Sequence, residues 1–391
     1  MSLLPLNEAQ ERLLALVPKM PSETVPVEEA LGRVLASDLK AARTQPPADL
    51  SAMDGYAIAG DGPWALVGES RAGAPFAGTL EAGQTTRIST GAHMPDGAAS
   101  VLIQENAQVA DGLVSSEAPP PPGRHVRQRG FDFSQGETVL QRGTLIGAAQ
   151  IALAMSAGHG SLVVSRRRKI AILDSGDELA IDPEQCGPDQ IPASNGAMIA
   201  AMLEPLAGET MRLGPVGDDL DALAQALAKA ESADILITSG GASVGDHDLI
   251  QKALGSWSAE LAFWKVAIKP GKPLMVATRS GQVVLGLPGN PVSSYVTCFL
   301  FGLPLVRAAL SLRDCLPKAI TMQAGEPFPA TGPRREFLRG IRDSSTVRSA
   351  ASQDSSALQT LANANCLIIR PARSPEIAKG EPVSVYPLDI G

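Results

Sequence analysis

The chain has 391 residues, 44% of them hydrophobic and 19% charged, which is ample apolar material for several cores and excludes wholesale disorder. Its net charge of −8 argues against a broad cationic face for nucleic acid, yet a small anionic ligand needs only a few local cations. Four cysteines without a CxxC spacing speak against a zinc site or a disulfide framework and fit a reducing cytosol.

Residues 1–45 read as helical. Leu6, Ala9, Leu13, Leu16 and Val17 form one apolar face behind Asn7, and Glu28–Leu35 gives a second short helix. Glu8, Glu11 and Arg12 interrupt the first apolar run, so it does not read as a signal peptide. Pro46 and Pro47 then break the pattern. Over residues 46–140, turn signals recur (Asp54-Gly55, Gly60-Asp61-Gly62, Asp96-Gly97, Asp111-Gly112) between β-prone runs at Thr85–Ser89, Ser100–Gln104 and Leu113–Ser115. This is a β-rich module, and Pro119–Pro122 a local polyproline segment within it. Gly143–Gly158 resumes helix and is expected to pack back on the N-terminal helices, making the first domain discontinuous: 1–45 plus 141–167.

Residues 168–312 alternate strand and helix. Lys169–Asp174, Met211–Val216, Asp234–Thr238 and Val283–Leu287 read as strands, and Asn195–Leu206, Leu220–Glu231 and Asp248–Leu254 as helices, with a long helix after the last strand. That rhythm predicts a doubly wound α/β domain. Residues 313–391 lose the helical period; Ile320–Met322, Phe337–Ile341, Cys366–Ile369 and Val383–Tyr386 predict a terminal β-barrel with one helix at Ser356–Ala364. The expected fold class is thus multidomain α/β: a central doubly wound α/β domain, a β-rich inserted module, an N-terminal helical region and a C-terminal β-barrel. Leu145–Val164 is too polar to cross a membrane and Val296–Leu310 too short, so both read as buried helices.

Ligands of an open α/β sheet bind outside the carboxyl ends of its strands. Three loops and one turn there are candidates. Asp174-Ser175-Gly176-Asp177-Glu178 places three carboxylates within five residues, which suits a hard cation such as Mg²⁺ or, alternatively, a helix cap or a solvated acidic turn. Ser239-Gly240-Gly241-Ala242-Ser243-Val244-Gly245-Asp246-His247-Asp248 frees the backbone so that successive N–H groups converge on an anion. Asp246 and Asp248 suit a helix cap, a cation or the N–H groups of a heterocycle. In Trp264–Pro273, Lys265 and Lys269 point to one face if the segment is extended, and Lys272 follows the Pro270-Gly271 turn, so three cations suggest oxyanion binding, with solvated lysines the bland alternative. Pro288-Gly289-Asn290-Pro291-Val292-Ser293 is a rigid turn into a helix where backbone N–H groups meet a phosphate. There is no Walker A sequence, no GxGxxG and no GxSxG, which disfavours P-loop kinases, dinucleotide dehydrogenases and α/β-hydrolases.

Taken together, Ser51-Ala52-Met53-Asp54-Gly55-Tyr56-Ala57, Thr90-Gly91-Ala92, Arg129-Gly130-Phe131-Asp132, Ser175–Leu179, the 239–248 loop, Ile268–Pro273 and Gly286–Ser293 resemble the molybdopterin molybdenumtransferases of the bacterial MoeA type and the E domain of gephyrin. Departures from that pattern are Asp174, where the family usually has Ser or Thr, Ala193-Ser194-Asn195 in place of an Asp-Ser-Asn type start, His93, and Asp354-Ser355-Ser356. The resemblance implies a cytoplasmic homodimer that takes adenylylated molybdopterin and molybdate as substrates, uses Mg²⁺ and releases AMP. It also implies contacts with other molybdenum cofactor biosynthesis proteins and molybdoenzyme chaperones, and none with nucleic acid or membrane. Asp54, Thr90, Asp132, Glu178, Asp218, Asp248, Lys265 and Lys269 become catalytic candidates, and Glu178, Asp177 and Asp246 metal candidates. Asp218 reads equally as the N-cap of the helix beginning Asp219-Leu220. Ser239, Gly240, Gly241, Ser243, Gly245, Asp246, Pro270, Gly271, Lys272, Pro288, Gly289, Asn290, Pro291 and Ser293 become substrate-binding candidates. Competing readings are a scaffold that kept the fold but lost catalysis, and a related enzyme that adenylylates molybdopterin or a nucleotide amidase on the same α/β domain; the latter two would lack the Met53-Asp54-Gly55-Tyr56 module.

Overall fold

Six strands form the central sheet, in the order 207–216, 168–175, 235–239, 282–287, 275–279 and 260–264. This computed structural model describes residues 3–18, 21–240 and 249–388. The first four strands are mutually parallel, and Met275–Arg279 alone runs against its neighbours. Met275–Arg279, joined through Ser280-Gly281 to the expected strand at Val283–Leu287, was not among the expected strands. Its residues bury without any helix period, and a two-residue Ser-Gly turn was its only local mark.

Alternation sorts the strand residues onto two faces. Ile170, Ile172, Ile235, Ile237, Val283 and Leu285 face helices α3 (Ser194–Leu203) and α6 (Pro291–Ala309). Ala171, Leu173, Leu236 and Val284 face helices α4 (Leu220–Lys229) and α5 (Leu249–Ser256). Helices thus cover both faces, as a doubly wound sheet requires. Each fully buried Ile, Leu or Val contributes about 1.5–3 kcal/mol, so these two layers are the main apolar store of the chain.

Helix α6 is long and apolar enough to cross a membrane by length and composition, longer than the expected Val296–Leu310. Here it is a core helix: Val292, Val296, Leu300, Phe301, Leu305 and Val306 are fully buried. It contains a π turn at Cys298–Gly302. Pro304 has no N–H to offer the carbonyl four residues earlier, that of Leu300. Gln10 Nε2 donates to Leu300 O at 2.8 Å and replaces the missing bond. Gln10 belongs to helix α1 (Leu6–Ala15), whose buried Leu6, Ala9 and Leu13 lie in the same core as α6.

The N-terminal region is less helical than expected. Helix α1 follows Pro5, and Asn7 sits inside it, where its side-chain oxygen accepts from Arg335 Nη1 at 3.2 Å. In place of a helix over 28–35 there is one 3₁₀ turn, Val27–Glu29, after which Gly32 takes a left-handed conformation. Ser22–Pro26 is a strand paired antiparallel with Ser161–Ser165. Helix α2 (Ala148–Ser156) does pack back near the N-terminus, with Val27, Leu35, Leu39, Leu162 and Val164, but α1 is not part of that cluster.

Residues 55–115 form a separate six-stranded sheet, ordered 100–103, 55–59, 84–88, 64–70, 113–115 and 108–110. At the C-terminus, strands 335–342, 346–349, 320–324, 382–387 and 366–370 pair in that order, and the last pairs again with the first, closing a five-stranded barrel. Ile268–Lys269 pairs with Arg335–Glu336 and ties the barrel to the central domain. The expected barrel helix is present as Leu358–Asn363.

Candidate functional site at the carboxyl edge of the central sheet

Strand 168–175 is followed in the chain by a neighbour on one side (207–216) and then by one on the other (235–239), so the strand order reverses at Asp174-Ser175. Brändén-type crevices form at such points. Four chain segments meet there. Gly176 N–H donates to Val216 O at 3.0 Å, and Asp218 N–H donates to Asp177 Oδ1 at 2.9 Å. Gly240 N–H donates to Leu287 O at 3.3 Å. Gly240 has φ +96°, and a Cβ there would lie 2.6 Å from Ser175 O, so glycine is required on two counts. Gly289 faces Gly240 Cα, and Asn195 Nδ2 donates to Gly289 O at 2.6 Å. Ser239 is buried, and its hydroxyl has no hydrogen-bond partner among the described residues.

The acidic loop divides. Asp177 and Glu178 are exposed, whereas Asp174 is 3% exposed. Burial pushes the Asp174 carboxyl up to about 6, against the opposing pull of Arg212, 3.8 Å away, and of the Gly196 N–H. Asp174 therefore does not join the other two carboxylates, and the expected trio for a cation is reduced to a pair. Among the described residues no group of three or more His, Cys, Asp or Glu side chains could hold a metal ion. The cap of α4 is Asp219, whose Oδ1 accepts from Ala222 N at 2.8 Å, so the alternative reading of Asp218 as that cap is corrected.

The lysine segment is not one extended run. Lys265 has φ +67°, and only Ile268–Lys269 is strand, so the common-face expectation fails. The backbone at Lys265 is fixed by two bonds: its N–H donates to Leu274 O and its carbonyl accepts from Leu4 N–H. Lys265 Nζ lies 4.0 Å from the Trp264 ring centre. Lys269 Nζ lies 3.3 Å from Glu336 Oε1 on the barrel. Lys272 is exposed, and Pro270 and Gly271 form the turn between the two lysines, with Gly271 against Thr297 of α6.

The turn into α6 is partly occupied. Pro291 has no N–H, and Val292 N–H donates to Ser355 O at 3.1 Å. Asn290 Nδ2 donates to Ser355 Oγ at 3.1 Å. The expected cluster of free N–H groups at this helix start is thus smaller than the sequence suggested. Pro288 and Ser293 are buried, while Gly289 and Asn290 are exposed. Ser355, like Asn195, was given no role from sequence. It lies 65 residues from Asn290, and no local pattern signals the contact.

Asp54, Thr90 and Asp132 lie elsewhere. Asp54 Oδ1 accepts from Thr90 N at 2.7 Å, and Asp132 N–H donates to Gln45 O at 3.0 Å. All three are exposed, and the inserted sheet shares no strand with the central sheet. The candidates Gly241, Ser243, Gly245, Asp246 and Asp248 lie outside the described residues.

Comparison with known proteins bears on the whole chain. Three family models match: the MoeA N-terminal region (domain I and II) over residues 4–158, a probable molybdopterin binding domain over 171–308, and the MoeA C-terminal region (domain IV) over 321–388. A protein of a Nostoc species named molybdopterin molybdenumtransferase is 34% identical, over 96% of this chain and 92% of its own length. One from Haemophilus influenzae with the same name is 31% identical over 99% of both. The crystal structure of a molybdopterin biosynthesis MoeA protein from Pyrococcus horikoshii superposes with a TM-score of 0.86 at 26% identity, covering 99% of this chain and 100% of its own. With its sheet, barrel and domain order matched from end to end, the chain belongs to the MoeA family, the molybdopterin molybdenumtransferases of molybdenum cofactor biosynthesis.

Proposed function

We propose that this chain transfers molybdenum from molybdate to the dithiolene of adenylylated molybdopterin, with Mg²⁺-dependent hydrolysis that releases AMP. The observation that supports this most is the meeting of Ser239-Gly240, Gly289 and the Asp177-Glu178 loop at one sheet edge, around the strand-order reversal. A buried hydroxyl without a partner among the described residues, beside two exposed carboxylates, suits a phosphate ester and its counter-cation. In this reading Ser239, Gly240, Gly241, Ser243 and Gly245 cradle the terminal phosphate, with Pro288–Pro291 and Ser293 forming the opposite wall. Asp218, Asp246 and Asp248 meet the pterin.

Glu178 and Asp177, with Asp246, are the residues to hold Mg²⁺. Two exposed carboxylates are too few for an all-protein cage but fit a cation that completes its shell with phosphate oxygens and water. Bound there, the metal neutralises charge on the departing phosphate. Lys265, Lys269 and Lys272, flanking Pro270-Gly271, are assigned to molybdate; Lys269 must then exchange Glu336 for the anion. Asp54, Thr90 and Asp132 are assigned to a site completed by a second copy of the chain, whose inserted module faces this sheet edge, so the proposal includes a cytoplasmic homodimer with composite sites. Exchange of substrate and product with other cofactor-biosynthesis proteins and molybdoenzyme chaperones follows from the same reading.

The test is AMP release from adenylylated molybdopterin, measured with and without molybdate and across Mg²⁺ concentrations. Molybdate-stimulated, Mg²⁺-dependent release is expected. Absence of release under every condition, from a folded chain, refutes the chemistry.

A further inference from the structure

Helix α3 begins without a cap of its own. Its N-cap residue, Ala193, has no side-chain oxygen, and the first turn contains no acidic residue. Early N–H groups of a helix have no intrahelical acceptor, and burying one unpaired is costly. Asp174 reaches that turn from outside, at the end of strand 168–175, where its carboxylate lies against Gly196. The fit is close: a Cβ on Gly196 would lie 2.0 Å from Asp174 Oδ2, so only glycine admits the carboxylate at that point of the helix. Arg212, on the neighbouring strand, approaches the same oxygen at 3.8 Å. Facing Asp174 from the other side is Ser239, its register partner, which is uncharged. One residue before Gly196, Asn195 donates to Gly289 O at 2.6 Å. The buried carboxylate and the clamp on the Gly289 turn are therefore consecutive links on one helical turn.

We propose that Asp174 is a positioning residue: with its carboxylate seated against Gly196 it fixes the first turn of α3, so that Asn195 holds the Pro288-Gly289-Asn290 turn against Gly240 at the substrate site. The functional half of this inference rests on the proposed reaction. The mechanical half does not. Asp174 touches neither reacting atoms nor metal in this scheme. Its effect passes through Asn195, so it acts on the placement of substrate and leaves the chemical step alone. Either protonation state keeps a carboxyl oxygen against Gly196, so the anchor does not depend on ionisation.

The test uses the full chain with Asp174→Ala, Asp174→Asn, Asn195→Ala and the Asp174→Ala/Asn195→Ala pair. Amide hydrogen exchange reads the mechanics without requiring turnover. In Asp174→Ala, exchange at residues 194–198 and 287–292 should rise about tenfold, the scale of one lost hydrogen bond, and Asp174→Asn should restore most of the protection. In turnover, Asp174→Ala and Asn195→Ala should each raise KM for adenylylated molybdopterin about tenfold with kcat within twofold, and the pair should be no worse than either alone. Unchanged exchange at 287–292 in Asp174→Ala, or KM effects that multiply in the pair, overturns the inference. Should Asp174→Ala fail to fold, Asp174→Asn with normal exchange but Asn195→Ala without any effect at 287–292 overturns it equally. A wild-type chain that shows the exchange pattern but no turnover refutes the proposed reaction and leaves the anchor standing.

Discussion

Asp174 Oδ2 occupies the space that a Cβ of residue 196 would need, at 2.0 Å, so the identities of Asp174 and Gly196 are tied to each other although 22 residues separate them. A helix-interior glycine is ordinarily a weakness of about 1 kcal/mol relative to alanine. Here Gly196→Ala should destabilise the wild-type chain by about 1–3 kcal/mol, because the new Cβ displaces a buried carboxylate from its seat. In an Asp174→Ala background the same substitution should become neutral or stabilising. Denaturant midpoints of the four proteins check this reversal of sign; the same sign in both backgrounds would refute the coupling.

Asp174 also predicts a pH dependence. Its ordinary value of 3.8 is raised by burial to about 6 in the folded chain. Between those values the native state binds the proton that the unfolded chain releases, so stability falls as pH rises from about 4 to 6. Below this window the group is protonated in both states and imposes no penalty; above it the full penalty persists, about 3 kcal/mol by the usual conversion. Asp174→Asn should remove this component. Chemical denaturation of both proteins at pH 4.5 and 7.5 isolates it: the wild type should lose more stability on going to the higher pH than the variant does.

Gln10 makes a prediction about folding alone. It is 6% exposed, and its bond to Leu300 O answers a carbonyl that Pro304 leaves without a donor. Gln10→Leu keeps most of the volume and leaves that carbonyl unpaired. Stability should fall by about 1–3 kcal/mol. Thermal unfolding of a variant that matches wild type would show that the bond contributes nothing.

Lys269 tests the anion assignment. Lys269→Ala removes one of a few local cations, and a lost charge-assisted bond costs about 1.5–3 kcal/mol, so half-saturation by molybdate should rise roughly 10- to 100-fold. Glu336→Gln, which releases Lys269 from its ion pair at 3.3 Å, should move half-saturation the other way or leave it unchanged. Overlaying molybdate titrations for wild type and Lys269→Ala would reject the role.

Composite sites are open to complementation. Asp54→Asn and Glu178→Gln should each abolish turnover, while a mixed dimer of the two should recover up to about half of the wild-type rate, because one of its two sites then carries neither defect. Differently tagged chains confirm the mixed state. Isolated mixed dimers as inactive as either parent would place both residues in one chain's site.

The amino-acid sequence by itself determined the family, the α/β rhythm and which loops lie at the carboxyl edge of the central sheet. Buried parallel strands such as Ile170–Leu173 and Ile235–Ile237 are legible because both faces are covered, so the whole run is apolar. Gly240 is legible because its left-handed backbone and close approach to Ser175 select glycine locally. Only the tertiary structure decided where the polar side chains went. Asp174 reads with Asp177 and Glu178 as one acidic loop, yet the alternation of a strand turns it inward to α3 while its neighbours face out. Lys265 and Lys269 read as a pair until the left-handed backbone at Lys265 and the ion pair with Glu336 separate them. Ser355 closing on Asn290 and Gln10 closing on Leu300 are contacts between segments 65 and 290 residues apart. Apolar periodicity is a local property, set by which face of an element is buried. Hydrogen-bond partners are chosen among whatever groups the packed elements bring within about 3 Å, and that choice exists only once the chain has folded.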